Sequence, residues 1–458
     1  MTTAAVAPQP IEEAPYYRGS HWLLGSVREI SGDPLALFEK LLPRYPDIVR
    51  TRLGRVPAYI VFNADYARHV LQRNHENYTR PNLFSRLLHA VAGENLFSSE
   101  GAYWQRQRKV LSPAFHRQRI IGFGRIMAEE TEQMLQRWQD QPQPLDVQAE
   151  MTKLTLNIVG RSLFSVDMLA ENRGRELTQG FEGTTSWINY RFKRPFAPLW
   201  LPTRANRDFR QAQATVQRVV RQILAERRRQ GGEHYDLLQM LLDLRYEDSG
   251  EGLDDLQIIN EMGTFFFAGH ETTANTLTWT FYLLSQHPEI EGKLHAELAQ
   301  VLGGRTPTVD DLPELPYTRM VIQEAMRLYP AAWAVTRQPI ADDQVGPYQL
   351  AAGSTVFLAF YGIHRHPRYW DNVNAFDPER FTPERSANRP SHAYLPFGTG
   401  PRFCIGSQFA MTEAPIALAT IAQHFRLRLV KGTQVEPEMV FTLRVKDQLP
   451  MTLESRSG

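Results

Sequence analysis

One stretch of ten residues, which contains Cys404 and ends at Gly406, constrains this chain more than any other segment. Cys404 is the only cysteine among 458 residues, so the chain cannot form an internal disulfide. Gly398 and Gly400 precede it, and glycine allows backbone conformations and close approaches that a Cβ atom would forbid. Apolar residues follow over 409–425, and a helix N-terminus favours the thiolate form of a nearby cysteine. The stretch therefore predicts a sulfur ligand held still by a loop.

Residues 397–406 match the pattern F-x-x-G-x-R-x-C-x-G at every fixed position. This pattern resembles the cysteine-ligand loop of the cytochromes P-450, the haem-thiolate monooxygenases. The alternative is an inert core cysteine in a glycine-rich turn. It is disfavoured because such a cysteine would not require the other fixed residues of the pattern, and all of them are present. The resemblance implies that Cys404 is the ligand of the iron of haem b, and that Phe397 and Arg402 bind the same cofactor.

Composition and charge exclude several classes of protein. Lys and Arg total 51 against 50 for Asp and Glu, so the net charge of +1 gives no indication of nucleic-acid binding. The N-terminus lacks the basic and apolar regions of a signal peptide, and no run of about 18 apolar residues could span a membrane. A single cysteine fits a reducing compartment. We therefore expect a soluble, cytoplasmic protein of bacterial type, with no transmembrane anchor and no nucleic-acid partner.

The pattern of apolar residues and helix breakers predicts a mainly α chain with a minor β region. Strands are expected over 47–53, 59–62 and parts of 333–360 and 425–453. Helices are expected over 64–73, 120–138, 147–164, 206–230, 237–244, 253–285, 289–301 and 316–328. We expect residues 1–20 to form a flexible lead and residues 21–458 a single domain. The resemblance implies the cytochrome P-450 fold, in which the long helix lies over the haem.

The long helix contains the sequence A-G-H-E-T-T at residues 268–273. Glycine destabilises a helix interior by about 1 kcal/mol relative to alanine, and threonine can bond back to a carbonyl one turn earlier. Such a helix could open a groove for a ligand, or it could present an ordinary packed face. By resemblance, Glu271 and Thr272 are the catalytic acid–alcohol pair, of which Glu271 relays protons and Thr272 hydrogen-bonds dioxygen. His270 has no histidine at i+4 and is given no role.

Glu324 and Arg327 lie at i and i+3 on one predicted helix face among apolar neighbours. Burial of such a pair requires that each charge has a partner. The pair matches the E-x-x-R motif of the resembled family, and residues 376–381, F-D-P-E-R-F, match the segment that supplies a second arginine. The resemblance therefore implies a structural ion-pair cluster of Glu324, Arg327 and Arg380 beside the haem loop.

Haem carries two propionate carboxylates that need cations. Trp104 and Arg108, at i and i+4, would present an indole N–H and a guanidinium from one helix face. The resemblance adds Arg402 and Arg337 as further cofactor-binding residues. Arg108 also lies in the basic run 106–109, which could instead be a solvated face.

The electrons for such a reaction need a donor. One cysteine cannot hold a four-cysteine iron–sulfur cluster, and we find no flavin domain in the sequence. We therefore expect a separate electron donor of the ferredoxin or flavodoxin type. The basic run 106–109, with Arg117 and Arg119, could steer an acidic donor, although an ordinary solvated face fits the same residues.

The sequence gives the weakest evidence for the residues of the substrate pocket. Resemblance assigns five apolar residues to it, namely Phe97, Phe265, Ala268, Ala332 and Ala334, although each of them also fits ordinary core. An apolar lining predicts a hydrophobic substrate, either a fatty acid or a terpenoid or carotenoid. In a fatty-acid-hydroxylating relative, Arg55 and Tyr59 at the early strand turn would anchor the carboxylate, although an ordinary solvated turn arginine fits Arg55 as well. The aromatic segment 186–201 could be a lid beside a membrane surface or a loop packed on the core.

Taken together, the resemblance implies a haem-thiolate monooxygenase, an oxidoreductase that inserts one oxygen atom from O2 into a C–H bond of a hydrophobic substrate. Two alternatives remain open from the sequence. A haem-thiolate sensor or electron carrier would need no proton relay. A peroxide-using or isomerising relative would keep the cysteine but alter the acid–alcohol pair. Because Glu271 and Thr272 are both present, the monooxygenase is favoured over the two alternatives.

Overall fold

The computed structural model describes residues 12–194, 200–232, 234–246 and 250–456. Most of these residues are helical, which agrees with the mainly α prediction. The helices are α1 (Val27–Gly32), α2 (Pro34–Leu41), α3 (Ala64–Arg68), α4 (Asn82–Ala92), α5 (Gly101–Leu111), α6 (Arg117–Gln139), α7 (Val147–Phe164), α8 (Arg173–Lys193), α9 (Arg204–Gln230), α10 (Leu237–Asp243), α11 (Asp255–Gln286), α12 (Pro288–Leu302), α13 (Pro316–Leu328), α14 (Phe360–Ile363), α15 (Pro383–Ser386) and α16 (Ser407–His424).

The strands make up the minor β region. They are β1 (Ile48–Leu53), β2 (Val56–Val61), β3 (Tyr78–Thr79), β4 (Leu145–Asp146), β5 (Val335–Pro339), β6 (Asp343–Val345), β7 (Tyr348–Leu350), β8 (Thr355–Leu358), β9 (Phe425–Leu429), β10 (Pro437–Met439), β11 (Leu443–Val445) and β12 (Pro450–Ser455). One sheet has the order β1-β2-β8-β5-β3, and another has the order β4-β12-β9. Strands β6 and β7 form one hairpin, and β10 and β11 form another.

The chain divides into two compact units, which are described separately. The first unit comprises Met1–Phe84, Ala332–Asn374 and Arg389–Cys404. Its sheet pairs β2 with β8 in parallel and all its other neighbouring strands antiparallel. All four residues of β8 are buried, which fits the apolar composition of a strand covered on both faces. The expectation of a single domain over 21–458 stays a prediction.

The expected flexible lead lies partly outside the described residues, since the description begins at Glu12. From that point the backbone is hydrogen-bonded to the first unit. The Glu12 N–H donates to the Pro347 carbonyl at 2.7 Å, and the Tyr17 N–H donates to the Arg50 carbonyl at 2.7 Å. Residues 12–17 therefore lie against the β structure of this unit.

The second unit comprises Ser85–Ala331, Ala375–Asn388 and Ile405–Gly458. Its longest helix, α11, begins with a capping box in which Asp254 and Gln257 each accept a backbone N–H of the other. The helix ends at Gln286, because Pro288 cannot continue it. Within the described residues, none of the helices combines the length and the apolar composition that a membrane span requires.

Several helices match the sequence prediction closely, and α7 and α13 have the predicted bounds. Helix α8 was not predicted, because glycine and threonine lower its intrinsic helix propensity. The structure gives the reason for one of its glycines. A Cβ atom on Gly180 would lie 2.6 Å from Val216 Cγ2, so glycine here allows α8 and α9 to pack closely. Tertiary packing therefore outweighs local propensity in this helix.

The aromatic segment 186–201 lies partly outside the described residues, since 195–199 are not described. Trp187 is 4% exposed and stacks on Phe209 with ring centroids 4.0 Å apart. Its indole N–H donates to Asn206 Oδ1 at 2.8 Å. The first part of the segment is therefore core of the second unit, whereas Trp200 is 77% exposed.

A buried ion-pair cluster of Glu324, Arg327 and Arg380 fixes the end of α13. Both Glu324 oxygens accept from Arg327, at 2.7 Å each, and Oε1 also accepts from Arg380 Nε at 3.1 Å. The Asp377 N–H donates to the same carboxylate at 3.0 Å, and Arg327 donates to the Ala375 carbonyl at 3.0 Å. The cluster therefore ties α13 to the segment around 375–380, and all three charged side chains are almost fully buried.

We expect Glu324→Ala to destabilise the protein strongly, because it leaves two buried guanidinium groups without their carboxylate. The free energy of unfolding should fall by about 3–5 kcal/mol. Urea unfolding followed by circular dichroism measures this change. The matched control is Glu384→Ala at an exposed position of α15, which should change the unfolding midpoint by less than about 0.5 kcal/mol. Equal effects of the two substitutions would show that the cluster is not a structural requirement.

Candidate functional site

The loop that carries Cys404 belongs to the first unit and is closed by backbone hydrogen bonds. The Cys404 N–H donates to the Phe397 carbonyl at 3.0 Å, and the Phe403 N–H donates to the Gly400 carbonyl at 3.0 Å. Cys404 is exposed on this loop. Cysteine is among the residue types most often buried, so its exposure does not fit the alternative of an inert core cysteine. The sulfur is instead presented at the end of a hydrogen-bonded loop.

Gly400 fixes the conformation of this loop through a close backbone approach. Its φ of +74° lies in the left-handed region, and a Cβ atom would lie 2.0 Å from the Leu71 carbonyl oxygen. Gly398 has a similar φ of +71°, but a Cβ atom there would meet nothing within 4 Å. Gly400 is therefore required by both conformation and space, whereas Gly398 is required by conformation alone.

The other predicted cofactor and pocket residues of the first unit lie in two places, on or just before β5 and in the Cys404 loop. Arg337 is in β5, where its guanidinium donates to the Thr336 carbonyl at 2.9 Å, and Arg402 is in the Cys404 loop. Ala332 and Ala334 precede β5, and Ala332 is exposed. The thiol and the two cations are chemically suited to a thiolate-ligated haem with anionic propionates.

In the second unit, α11 is continuous through residues 268–273. The Thr272 hydroxyl donates to the Ala268 carbonyl at 2.9 Å, as the sequence predicted for a threonine one turn later. Gly269 does not loosen the helix. A Cβ atom there would lie 2.8 Å from Val159 Cγ2, so this glycine allows α7 to pack against α11. The expectation that this part of α11 opens a groove for a ligand stays a prediction.

Glu271 accepts a hydrogen bond from the Thr442 hydroxyl, with 2.6 Å between Oγ1 and Oε1. Burial raises the pKa of Glu271, and this effect exceeds the opposing effects of the Thr442 hydrogen bond and the Arg444 charge. The neighbouring His270 is 3% exposed, and its Nδ1 donates to the Phe266 carbonyl at 2.6 Å. Burial lowers the pKa of His270 to about 4, so the imidazole is uncharged at neutral pH.

An aromatic group from four separate parts of the chain surrounds this region of α11. We call it the aromatic cluster, and its members are Phe97, Phe181, Phe267, His270 and Phe441. Ring centroids are 5.9 Å apart for Phe97 and Phe441, 5.6 Å for Phe441 and Phe267, and 5.4 Å for Phe267 and Phe181. His270 lies 5.6 Å from Phe181. Phe97 remains 40% exposed, so the cluster offers apolar surface to a ligand.

The predicted pocket residues on α11 differ in their surroundings. Ala268 is exposed, whereas Phe265 is 6% exposed and stacks on Phe115 with ring centroids 5.4 Å apart. Phe265 is therefore packed against a neighbouring aromatic ring, and its place in the pocket stays a prediction. Sequence reasoning missed Phe181 and Phe441, because neither lies in a recognisable motif. Phe267 did have a signal in the sequence, since it belongs to the run of three phenylalanines before Ala268.

A buried carboxyl group that the sequence analysis did not select holds the segment before Phe97. Glu261 of α11 is fully buried, and its Oε1 accepts the Leu96 N–H at 2.9 Å. Its Oε2 has no hydrogen-bond partner among the described residues. Burial raises the pKa of Glu261 to about 8, only partly offset by the Leu96 hydrogen bond. Glu261 therefore fixes the backbone next to the aromatic cluster while remaining protonated at neutral pH.

Trp104 and Arg108 both lie on α5 and are partly buried, one helical turn apart as the sequence predicted. The basic run around them is not a uniform charged face. The Arg106 guanidinium lies 3.3 Å from the ring centroid of Tyr246, and Arg119 donates to the Tyr235 carbonyl at 3.0 Å. Lys109 and Arg117, by contrast, are exposed.

Comparison with known proteins places the chain among haem enzymes. A family model described as cytochrome P-450 matches residues 15–453. The chain is 36% identical to the cyclooctat-9-en-7-ol 5-monooxygenase of Streptomyces melanosporofaciens, over 91% of this chain and 90% of that protein. It is 33% identical to the pentalenene oxygenase of Streptomyces avermitilis, over 92% of this chain and 93% of that protein.

A solved structure shows the same fold. The chain resembles the crystal structure of the cytochrome P-450DA haem domain with a TM-score of 0.86 and 26% sequence identity, covering 98% of this chain and 99% of that one. The predictions of a cytochrome P-450 fold and of haem as the cofactor are thereby confirmed.

We expect Gly400→Ala to reduce the fraction of purified protein that carries haem, because the new methyl group would collide with the Leu71 carbonyl. The ratio of haem absorbance to protein absorbance measures this fraction. Gly398→Ala is the matched control, since it adds the same left-handed backbone strain of about 1–2 kcal/mol without a collision. If both substitutions reduce the haem content equally, the close approach at Gly400 is not what holds the loop.

We also expect a pH-dependent stability from Glu261. Its pKa is higher in the folded protein than the ordinary value of 4.5, so its contribution is fully present below about pH 4.5 and is lost as the pH rises towards about 8. The wild-type protein should lose up to about 1.4 kcal/mol per pH unit in this window relative to Glu261→Gln.

The melting temperatures of wild type and Glu261→Gln at about pH 5 and about pH 9 test this expectation. The advantage of the variant should be larger at the higher pH. Glu94→Gln, at an exposed position nearby, should show the same difference from wild type at both values. A Glu261→Gln advantage that does not change with pH would contradict the protonated state of Glu261.

Proposed function

The chain belongs to the cytochrome P-450 family, and from that premise we propose that it hydroxylates a cyclic isoprenoid, with electrons from a separate ferredoxin- or flavodoxin-type protein. Its cofactor is haem and its reaction class is monooxygenation with O2 and a hydrophobic substrate. The sensor and electron-carrier alternatives are therefore set aside. We propose three further properties of this protein: an isoprenoid substrate, an electron donor of the ferredoxin or flavodoxin type, and a cytoplasmic location.

The chain contains a complete set of groups for the cofactor. Bound haem supplies the activation of dioxygen, which no side chain of the protein can perform. We assign Cys404 as the iron ligand, presented by the hydrogen-bonded loop that Gly400 fixes. Phe397 belongs to the same loop, where its carbonyl accepts the Cys404 N–H. The residues that would bind the propionates are Arg337, Arg402, Trp104 and Arg108.

We assign proton transfer to Glu271 and Thr272. A general acid–base group works best when its pKa lies near the operating pH, and burial moves the pKa of Glu271 upwards in that direction. The Thr272 hydroxyl already donates to the Ala268 carbonyl, so its oxygen is oriented to accept a second hydrogen bond. Glu271 can therefore take up and release a proton, while Thr272 provides an oriented hydroxyl.

The aromatic cluster is the observation that carries the proposed substrate class. Four of its members are phenylalanines, and the fifth, His270, is uncharged at neutral pH, so the cluster provides no cation for an anionic substrate. Contact with such a surface favours a neutral hydrocarbon. The two relatives described above are named for cyclooctat-9-en-7-ol and pentalenene, which supports a cyclic isoprenoid here.

A fatty acid would need a cation for its carboxylate. Arg55 is exposed at the turn between β1 and β2, but Tyr59 is 3% exposed and packs in the core of the first unit. A joint anchor formed by Arg55 and Tyr59 is therefore disfavoured. Fatty-acid hydroxylation is retained as the outcome that would overturn the isoprenoid proposal.

The proposal of a separate electron donor rests on chemistry and charge. One cysteine, assigned to the iron, leaves no thiolate for an iron–sulfur cluster in this chain. Lys109, in the last turn of α5, and Arg117, the first residue of α6, are exposed cations that suit an acidic protein surface. Arg106 and Arg119 contribute less to such a surface because they contact Tyr246 and Tyr235.

The direct test is a titration of the ferric protein with isoprenoids and with fatty acids, followed by the haem spin-state change in the absorption spectrum. Pentalenene, as a cyclic isoprenoid, and palmitate, as a fatty acid, are suitable probes. We expect a high-spin shift with the isoprenoids and none with palmitate. A shift with palmitate alone, lost in Arg55→Ala, would overturn the proposed substrate class.

The contribution of the aromatic cluster is tested with Phe97→Ala. Loss of a large apolar contact should raise the isoprenoid concentration needed for the half-maximal spin shift by roughly tenfold. Leu169→Ala is the matched control, since Leu169 is 42% exposed, close to the 40% of Phe97, but lies outside the cluster. Equal effects of the two substitutions would remove the cluster from the substrate site.

A further inference from the structure

The hairpin of β10 and β11 brings Thr442 into contact with α11, the helix that carries Glu271. Its strands pair antiparallel, with Met439 opposite Leu443, and the turn between them is residues 440–442. The hairpin is anchored next to its turn, where the Leu443 N–H donates to the Ala331 carbonyl at 3.0 Å and the Trp279 indole donates to the Leu443 carbonyl at 3.4 Å. The position of the turn is therefore fixed relative to α11.

Thr442, the last residue of this turn, contacts two polar side chains of α11. It is 4% exposed, and its hydroxyl donates to Glu271 Oε1 at 2.6 Å. The Asn275 amide, one helical turn after Glu271, donates to the same hydroxyl oxygen at 3.1 Å. Asn275 is also 4% exposed.

The chemistry of the three groups determines the direction of these hydrogen bonds. An ionised carboxylate only accepts, so the hydrogen bond between Thr442 and Glu271 must use the threonine proton. The hydroxyl oxygen then needs a donor, which the amide NH2 of Asn275 provides. The hydrogen bonds therefore run in one direction, from Asn275 to Thr442 and from Thr442 to Glu271. They stabilise the charged form of the Glu271 carboxyl group in one orientation.

Charged groups of two other elements act on Glu271. Arg444 of β11 favours the carboxylate, and Glu182 of α8 disfavours it. Arg444 is itself paired with Glu438 of β10, with 2.9 Å between Nη2 and Oε2. Because part of the Arg444 charge is neutralised in this way, the short Thr442 hydrogen bond is the most direct contact that opposes the effect of burial.

We propose that Thr442, held by Asn275, is the positioning residue that fixes Glu271 for proton transfer. This inference rests on the proposed role of Glu271 in the monooxygenase reaction. Thr442 follows Phe441, a member of the aromatic cluster, so the substrate surface and the support of the proton relay lie on adjacent residues of one turn. Thr442 itself exchanges no proton with substrate or cofactor.

The variant Thr442→Val tests this role because it preserves the shape of the side chain and removes the hydroxyl. Turnover with pentalenene, a ferredoxin, its reductase and NADH should fall by roughly tenfold, with more hydrogen peroxide formed per NADH consumed. Pentalenene binding, measured by the spin shift, should change by less than about twofold. Thr442→Ser retains the hydroxyl and should restore coupling. Thr452→Val, at an exposed threonine of β12, is the matched control.

A second readout does not depend on turnover. The difference infrared spectrum between wild type and Glu271→Gln identifies the Glu271 carboxyl band, whose intensity can be followed against pH. Loss of a hydrogen bond to the charged form raises the pKa of a carboxyl group, so Thr442→Val should move this titration to higher pH. Thr442→Ser should leave the titration close to that of wild type.

The two readouts separate failure of the inference from failure of the proposed function. If Thr442→Val leaves both the Glu271 titration and the coupling unchanged, while Glu271→Gln impairs turnover, the positioning role is overturned. If Glu271→Gln leaves turnover and coupling unchanged, the proposed proton relay is wrong. In the double variant, the effect of Thr442→Val should disappear in the Glu271→Gln background, and additive effects would contradict action through Glu271.

Discussion

A buried carboxylate with two buried guanidinium partners is the constraint on which the second unit depends. Glu324, Arg327 and Arg380 are each at most 1% exposed, and charges at that depth are tolerated only as a complete, hydrogen-bonded set. Because Arg380 and the backbone of residues 375–377 belong to a distant part of the chain, the set closes only when α13 and this segment have packed together. The cluster therefore forms only when these two parts of the chain pack together, and we expect its role to be structural rather than catalytic.

Helix α11 shows how structural and chemical requirements share one element. One side contacts α7 so closely that only glycine fits at position 269. The next residues carry His270, which is kept neutral by burial, and Glu271, whose pKa is raised by burial. Glu261, ten positions earlier, fixes the Leu96 backbone near the aromatic cluster. The same low-polarity surroundings thus shape an apolar surface and adjust the ionisation of the groups beside it.

Much of the fold and of the cofactor loop could be predicted from the sequence, because the evidence for them is local. The bounds of α7 and α13 follow from apolar periodicity and from flanking breakers such as Pro316. The Cys404 loop is a short contiguous motif, and Gly398 and Gly400 have the positive φ angles that their residue type permits. Helix α8 was missed because its glycines weaken the local signal while serving the contact with α9.

Sequence alone determined the family and predicted the cysteine ligand and the acid–alcohol pair, since each rests on residues close together in the chain. Only the tertiary structure decided what surrounds them. Thr442 is 171 positions from Glu271, and Leu96 is 165 positions from Glu261, and neither residue type is distinctive in itself. Such contacts depend on the register of a hairpin and on the packing of helices, which arise from the folded chain as a whole. For the same reason, burial of Phe265 and exposure of Phe97 could not be distinguished from their sequence context.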